Sequence, residues 1–170
     1  VLRPGFMLPP LMFSEEEIEA IVLGSRWVHQ RADKSLAGAA ANVLAKIGAV
    51  LPDDLRETLD DSGLLVGPGE TVSAGDAELP KIRQAIRRER KLSIAYADKA
   101  GAATQRIVWP FALAFFEKVR VVVTWCELRQ DYRHFRTDRI ATLTVSEERY
   151  PRRRQALLKE WREQDGTTDI

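Results

Sequence analysis

Between Leu92 and Val145 the hydrophobic pattern alternates in twos, and this stretch decides more about the fold than any other feature of the chain. The runs "LSIAYAD", "QRIVWPFALAFF", "VRVVVTWCEL", "YRHFRTD" and "IATLTV" are rich in β-branched and aromatic residues. They are divided by the turn-like segments "KAGAAT", "EK" and "RQD", a spacing that predicts a small antiparallel sheet. Five short strands in sequence predict a strongly bent sheet or small barrel, because closure removes exposed edges.

Upstream of these strands the period is helical. Ser14 followed by Glu17 is a capping box, so a helix starts there, with Ile18, Ile21, Val22, Ser25 and Val28 along one stripe and an end near Gln30. Asp33 or Ser35 caps a second helix whose Leu36, Ala40, Val43, Ile47 and Val50 face one way, and Pro52 marks its end. Joined by "RADK", the two form an αα-hairpin, and the Ala-rich turn Ala37 to Ala41 would let another helix approach closely. "DDLRETLDDSG" reads as a short acidic helix ending at Gly63, followed by glycine-punctuated connection with one strand at Leu64 to Val66. Leu79-Pro80 opens a further helix with Ile82, Ala85 and Ile86 as its apolar face, and Arg87, Arg88, Glu89, Arg90 and Lys91 form its last turn. "YPRRRQALLKEWREQ" closes the chain as a helix with Ala156, Leu157, Leu158 and Trp161 as contacts.

Net charge conceals an asymmetry between the two halves. Residues 1–77 carry 6 Lys and Arg against 12 Asp and Glu, a net −6, whereas residues 78–170 carry 20 against 13, a net +7. Opposite signs point to two modules with different partners. No apolar run reaches the roughly 20 residues that span a bilayer, and the N-terminal stretch lacks the pattern of a signal peptide, so no membrane role and a cytoplasmic location are expected. With Cys126 as the single cysteine and two distant histidines, neither a disulfide nor a metal site is expected, and no cofactor. The chain opens on Val1 in mid-pattern, which reads as a fragment of a longer protein.

The positive charge gathers in "CELRQDYRHFRTDRI", where Arg129, Arg133, Arg136 and Arg139 are interleaved with Tyr132, His134 and Phe135. The spacing also fits one helix face, but the flanking "VRVVVTWC" and "IATLTV" favour strand. On a strand, Arg133, Phe135, Thr137 and Arg139 share one face, while Tyr132, His134, Arg136 and Asp138 share the other. With Phe135 inward, Arg133 and Arg139 emerge at a rim or line a polar cavity, since unpaired buried charge is costly. Pairing with Glu127, Asp131 or Asp138 is the plain structural alternative. An enzyme would have to use Cys126, His134 and Asp138, three common residue types without a supporting signature, and no phosphate loop or HExxH motif is present. A non-enzymatic role is expected.

"LSIAYAD", "QRIVWPFAL" and "VRVVVTWCELRQDYRHFRTDRI", in this order and spacing, resemble the WYL-domain family, ligand-sensing modules usually attached to a winged helix-turn-helix in bacterial transcriptional regulators. The similarity runs from about Leu79 to about Val145 and rests on Tyr96, Arg106, Pro110, Cys126, Arg129, Arg133, Phe135, Arg136, Asp138 and Arg139. The earlier "LRPGFMLPPLMFSEEEIEAIVLGSRWV" looks like the helical linker of YafY-like members. The resemblance implies an α+β chain. A helical linker and dimerisation module spans 1–77, with a wing remnant at 1–7. An Sm-like, SH3-type bent antiparallel β-barrel spans 78–146, and a helical extension 147–170. It also implies an anionic effector such as single-stranded DNA or RNA or a nucleotide, and double-stranded DNA bound through an N-terminal domain absent from this sequence. The ligand residues so expected are Arg133 and Arg139 as first contacts, Arg106, Arg129 and Arg136 in support, and Tyr96, His134 and Trp125 among the aromatic groups. The Trp-Tyr-Leu triplet that names the family is replaced by Arg120, Val121 and Val122. A homodimer is expected, since a reader of two half-sites has a two-fold axis. The rival readings are a ligand-free dimerisation scaffold and an enzyme dependent on Cys126.

Overall fold

The structure, a computed structural model, describes residues 12–67, 76–97 and 102–165. The expected wing remnant, much of the first hairpin turn and the tail after Asp165 lie outside the described residues. The chain divides into two compact units, Val1–Gly67 and Pro68–Ile170.

In the first unit α1 (Glu15–Arg31) begins at the predicted capping box: the Glu17 amide donates to Ser14 Oγ at 3.3 Å and the Ser14 amide to Glu17 Oε2 at 2.9 Å. α2 (Lys34–Gly48) is capped by Asp33, whose Oδ1 accepts from the amides of Ser35 at 3.1 Å and Leu36 at 3.3 Å. α3 (Asp53–Asp61) has no side-chain cap. Instead Arg56 donates to the carbonyls of Gly48 and Leu51, both at 2.9 Å, tying α3 to the end of α2. Ile18, Val22 and Leu51 form a small core, with Phe13, Leu44, Ile47, Leu55 and Leu59 packed on it. Of the stripe expected on α2 only Ala40 is buried; Val43 and Val50 are exposed, and Val50 lies past the helix end. Residues 64–66 form no strand, contrary to expectation. No other strand exists within this unit's described residues to pair with them, and Arg26 holds the segment by donating to the carbonyls of Ser62 and Leu64.

The second unit starts with a 3-10 turn (Asp76–Glu78) and α4 (Leu79–Arg88), with Pro80 in the first turn of the helix, where a missing amide hydrogen costs nothing. The helix stops earlier than the charge pattern suggested. Glu89 takes a left-handed conformation, φ 54°, and Arg90 and Lys91 already belong to β1. That strained position is held from three sides: the Glu89 carbonyl accepts from the Tyr150 amide at 3.1 Å, and its carboxylate takes the Arg154 amide at 3.0 Å and pairs with Arg153 at 3.5 Å.

β1 (Arg90–Ala97), β2 (Ala103–Phe115), β3 (Arg120–Cys126), β4 (Asp131–Arg136) and β5 (Ile140–Arg149) form one antiparallel sheet in the order β4-β3-β2-β1-β5. The β3–β4 turn occupies residues 127–130, starting two residues before "RQD" and ending one residue before it, with Gln130 at φ 50°. The sheet is open: no ladder joins β4 to β5 among the described residues, and a second 3-10 turn (Thr137–Arg139) connects them. Apolar surface is buried without closure because each face carries a helix. α5 (Arg154–Asp165) is the second of these.

A register shift between Pro110 and Ala112 allows one strand to serve both faces. Trp109 and Phe111 pack with Val123, Tyr132, Tyr150 and the α5 residues Leu157 and Trp161. Leu113 and Phe115, of the same parity, would face the same way on a regular strand. The extra residue of the bulge turns them over, and they join α4, Leu92, Ile94, Val122, Cys126 and Phe135 in the opposite core. Pro110 is tolerated here because the β1–β2 pairing ends at Leu92 opposite Val108. Ala156 is exposed, unlike Leu157 and Trp161, since it lies off the stripe those two define.

If the two cores are what hold this unit, Leu157→Ala should lower its unfolding free energy by about 2–5 kcal/mol. Leu128→Ala, at a side chain 64% exposed, should change it by less than about 0.5 kcal/mol. Urea titration followed by tryptophan fluorescence checks both.

Candidate functional site

β4 sorts the arginine-rich stretch by alternation. Phe135 enters the α4 core while Tyr132 enters the α5 core, so the strand is buried from both sides and its cations are left at the margins. Arg133 shares the Phe135 face, is half exposed, and pairs with Asp131 at 3.2 Å. Alternation then stops, because Thr137 to Arg139 form the 3-10 turn. Arg139 is therefore not aligned with Arg133, contrary to the strand expectation. Thr137 is buried and anchors the turn.

Around that turn several expected residues converge. Arg136 makes a two-point contact with Asp138, Nε to Oδ1 at 3.0 Å and a terminal nitrogen to Oδ2 at 2.8 Å. This hydrogen bonding, together with the nearby charge of Arg139, holds the Asp138 carboxyl below the usual aspartate range, and Asp138 raises Arg136 in turn. The Tyr96 ring meets Phe135 edge to face, centroids 4.9 Å apart, and its hydroxyl lies near enough to Arg136 to interact electrostatically. A planar ring, a pre-oriented guanidinium and a second cation whose neighbouring carboxylate is already engaged thus share one end of the sheet.

The remaining candidates lie elsewhere. Arg106 sits opposite Ile94 and lines an open concavity of about 570 Å³ with Ser93, Gln105, Ile107, Glu127 and Leu128. Arg129 is exposed in the β3–β4 turn. Trp125 and His134 belong to the α5 face: Arg152 lies 5.7 Å over the Trp125 ring, and the His134 ring meets Trp161 at 5.8 Å. Cys126 is fully buried in the α4 core, on the side of the sheet away from His134, so the pair needed for thiol catalysis is not brought together. Arg120, at the position of the family triplet, is buried with its guanidinium 5.6 Å over Phe115. Among the described residues no three His, Cys, Asp or Glu side chains are grouped to hold a metal, and no helix is long and apolar enough to cross a membrane.

Two charged networks escaped the sequence reading. Lys91 bridges Glu127 at 2.9 Å and Glu148 at 2.6 Å, while Glu127 also accepts from Trp109 Nε1 at 2.7 Å. Burial alone would raise the Glu127 carboxyl, but these hydrogen bonds outweigh it and hold it low. Glu160 accepts from the Tyr132 hydroxyl at 3.1 Å and pairs with Arg152, fastening α5 over the aromatic cluster. No local signature could have flagged partners so far apart in the chain.

A carboxyl depressed in the folded state contributes stability above its unfolded value and loses it as pH falls through the folded one. The melting temperature should accordingly drop as pH goes below the ordinary aspartate value of about 4. Asp138→Asn should lower the melting temperature at neutral pH and flatten the acid limb, so that its curve converges on that of the parent protein in acid. Parallel curves across the whole range would contradict the assignment.

The WYL domain family model matches residues 77–145 of this chain. Among solved structures, proteasome accessory factor B/C (PafBC) of Arthrobacter aurescens aligns with a TM-score of 0.45 and 20% identity over 84% of this chain. The chain spans 22% of the length of that protein. The family match runs from the first 3-10 turn through most of β5 and makes residues 77–145 a WYL domain.

Proposed function

We propose that this WYL domain is the non-enzymatic, effector-sensing region of a bacterial transcriptional regulator. In this reading it binds an anionic ligand, with single-stranded nucleic acid as the leading class, to control an attached winged helix-turn-helix that contacts double-stranded DNA. The observation that carries the reading is the convergence of Tyr96, Arg136, Asp138 and Arg139 at the second 3-10 turn. Arg139 is the first contact for a phosphate. Arg136, held in a fixed plane by Asp138, is the second, and Tyr96 offers an edge against which a base can pack. Arg133 extends the cationic surface along β4, with Arg129 in the β3–β4 turn and Arg106 on β2 as further supporting cations. Control requires an effector that binds two arrangements of the protein unequally, since equal binding shifts nothing.

Two local ion pairs, Arg133 with Asp131 within β4 and Arg136 with Asp138 of the 3-10 turn, also favour a second reading. Here the arginines shape a scaffold that takes no ligand. A sensor gains melting temperature with added effector and a scaffold does not.

Binding of a short fluorescent single strand tests the site. Three or four engaged arginines should give a log-log salt slope of roughly −2 to −3, at about −0.7 per phosphate. Arg139→Ala should flatten the slope by somewhat less than one unit and weaken all sequences about equally. Arg133→Ala should act in the same direction, and Arg26→Ala, in the first unit, should do neither. Absence of binding at low salt, or binding indifferent to salt, overturns the oligonucleotide reading.

A further inference from the structure

Around Glu89 the second unit gathers a group of arginines that the effector site does not use. Glu89 is left-handed, a conformation that a side chain other than glycine keeps only when its surroundings hold it. Its carbonyl and carboxylate accept from the Tyr150 and Arg154 amides, so the end of α4, the start of β1, the end of β5 and the start of α5 are tied at one point. The tie brings five arginines together in the fold. Arg87 and Arg88 lie in the last turn of α4, Arg90 opens β1, Arg149 stands opposite Arg90 in the β1–β5 ladder, and Arg153 pairs with Glu89 at 3.5 Å.

Carboxylates do not balance this group. Arg87, Arg88 and Arg149 are exposed and make no ion pair or side-chain hydrogen bond among the described residues. Glu147 reaches Arg90 only at 3.8 Å, Glu89 is spent on Arg153 and the Arg154 amide, and Glu148 is held by Lys91 at 2.6 Å. Like charges directly opposite on paired strands are destabilising, so Arg90 against Arg149 works against the sheet. The negative end of α4 amounts to about half a charge and acts within the last turn alone. It offsets one arginine at most.

We propose that this patch docks the phosphate backbone of duplex DNA, an inference that rests on the proposed regulator role for the presence of DNA. Guanidinium groups take phosphate oxygens in two-point contacts, and an arriving phosphate relieves the crowding of like charge. A duplex presents phosphates at regular spacing, so several of these arginines are met at once. Duplex is favoured over single strand because the patch offers no ring on which a base could stack: Tyr150 is 4% exposed and its hydroxyl is used on the Pro110 carbonyl. Backbone contacts of this kind position a protein without reading sequence. Arg90 and Tyr96 lie toward opposite ends of β1, roughly 20 Å apart along the strand, so the patch shares no residue with the effector site.

Fluorescence anisotropy of a short labelled duplex of mixed sequence, titrated with the intact chain across a salt series, tests it. Three or four phosphate contacts should give a log-log salt slope of roughly −3, at about −0.9 per phosphate. The double variant Arg87→Ala/Arg88→Ala should flatten that slope by about two units and Arg149→Ala by about one, with about equal loss on unrelated sequences. Lys46→Ala, an exposed cation of the first unit, should leave it unchanged. Single-strand binding read on the same variants separates this inference from the effector reading, since it should follow Arg139 and not Arg149. Circular dichroism melts distinguish a lost contact from a lost fold. No duplex binding at low salt, binding that Lys46→Ala weakens as much as the patch variants do, or tighter binding of polyglutamate, which would make an acidic protein the occupant, would each overturn the proposal.

Discussion

The second unit depends on one irregularity in its longest strand. β2 runs for 13 residues and must serve a core on each side of the sheet. A regular strand shows one set of side chains to one face throughout, and the bulge after Pro110 breaks that rule once. Without it Leu113 and Phe115 would compete with Phe111 for space beneath α5, and the α4 core would lose two large side chains. Tyr150 reinforces the site, donating its hydroxyl to the Pro110 carbonyl at 3.1 Å while its ring stacks on Trp109. Burial pushes the Tyr150 hydroxyl well above its ordinary range, so it remains a donor at any physiological pH.

Because both faces are covered, β4 has no outward face on which to display four arginines. Their charge is handled at the edges and in the turn, where water or a carboxylate can meet it. Exposed pairs such as Arg133 with Asp131 contribute little to stability, about 0–1 kcal/mol, and their value lies in orientation. An anion arriving at Arg136 has to compete with Asp138. Arg139 makes no ion pair among the described residues, although Asp138 feels its charge, which is why the proposed function puts it first for an incoming phosphate.

Much of this was legible in local sequence. Ser14 with Glu17, Asp33 before α2 and Leu79-Pro80 are short-range signals, and the structure places a helix start at each. The period-two runs marked all five strands, since alternation is a property of neighbours along the chain. Long-range choices were not legible. Nothing near Arg139 said that three residues would leave the strand for a 3-10 turn, and nothing near Glu89 said that Tyr150, Arg153 and Arg154 would hold it left-handed. The parity of Leu113 alone would have put it on the wrong face. His134 and Cys126 are eight residues apart in sequence, and only the two-sided sheet decided that they point into different surroundings. Sequence by itself determined which segments are helix and strand, because backbone preference and amphipathic period act over a few residues. Tertiary structure decided which cations stand together and which are spent on partners, because that depends on strand order, on the bulge, and on the helices that cover each face.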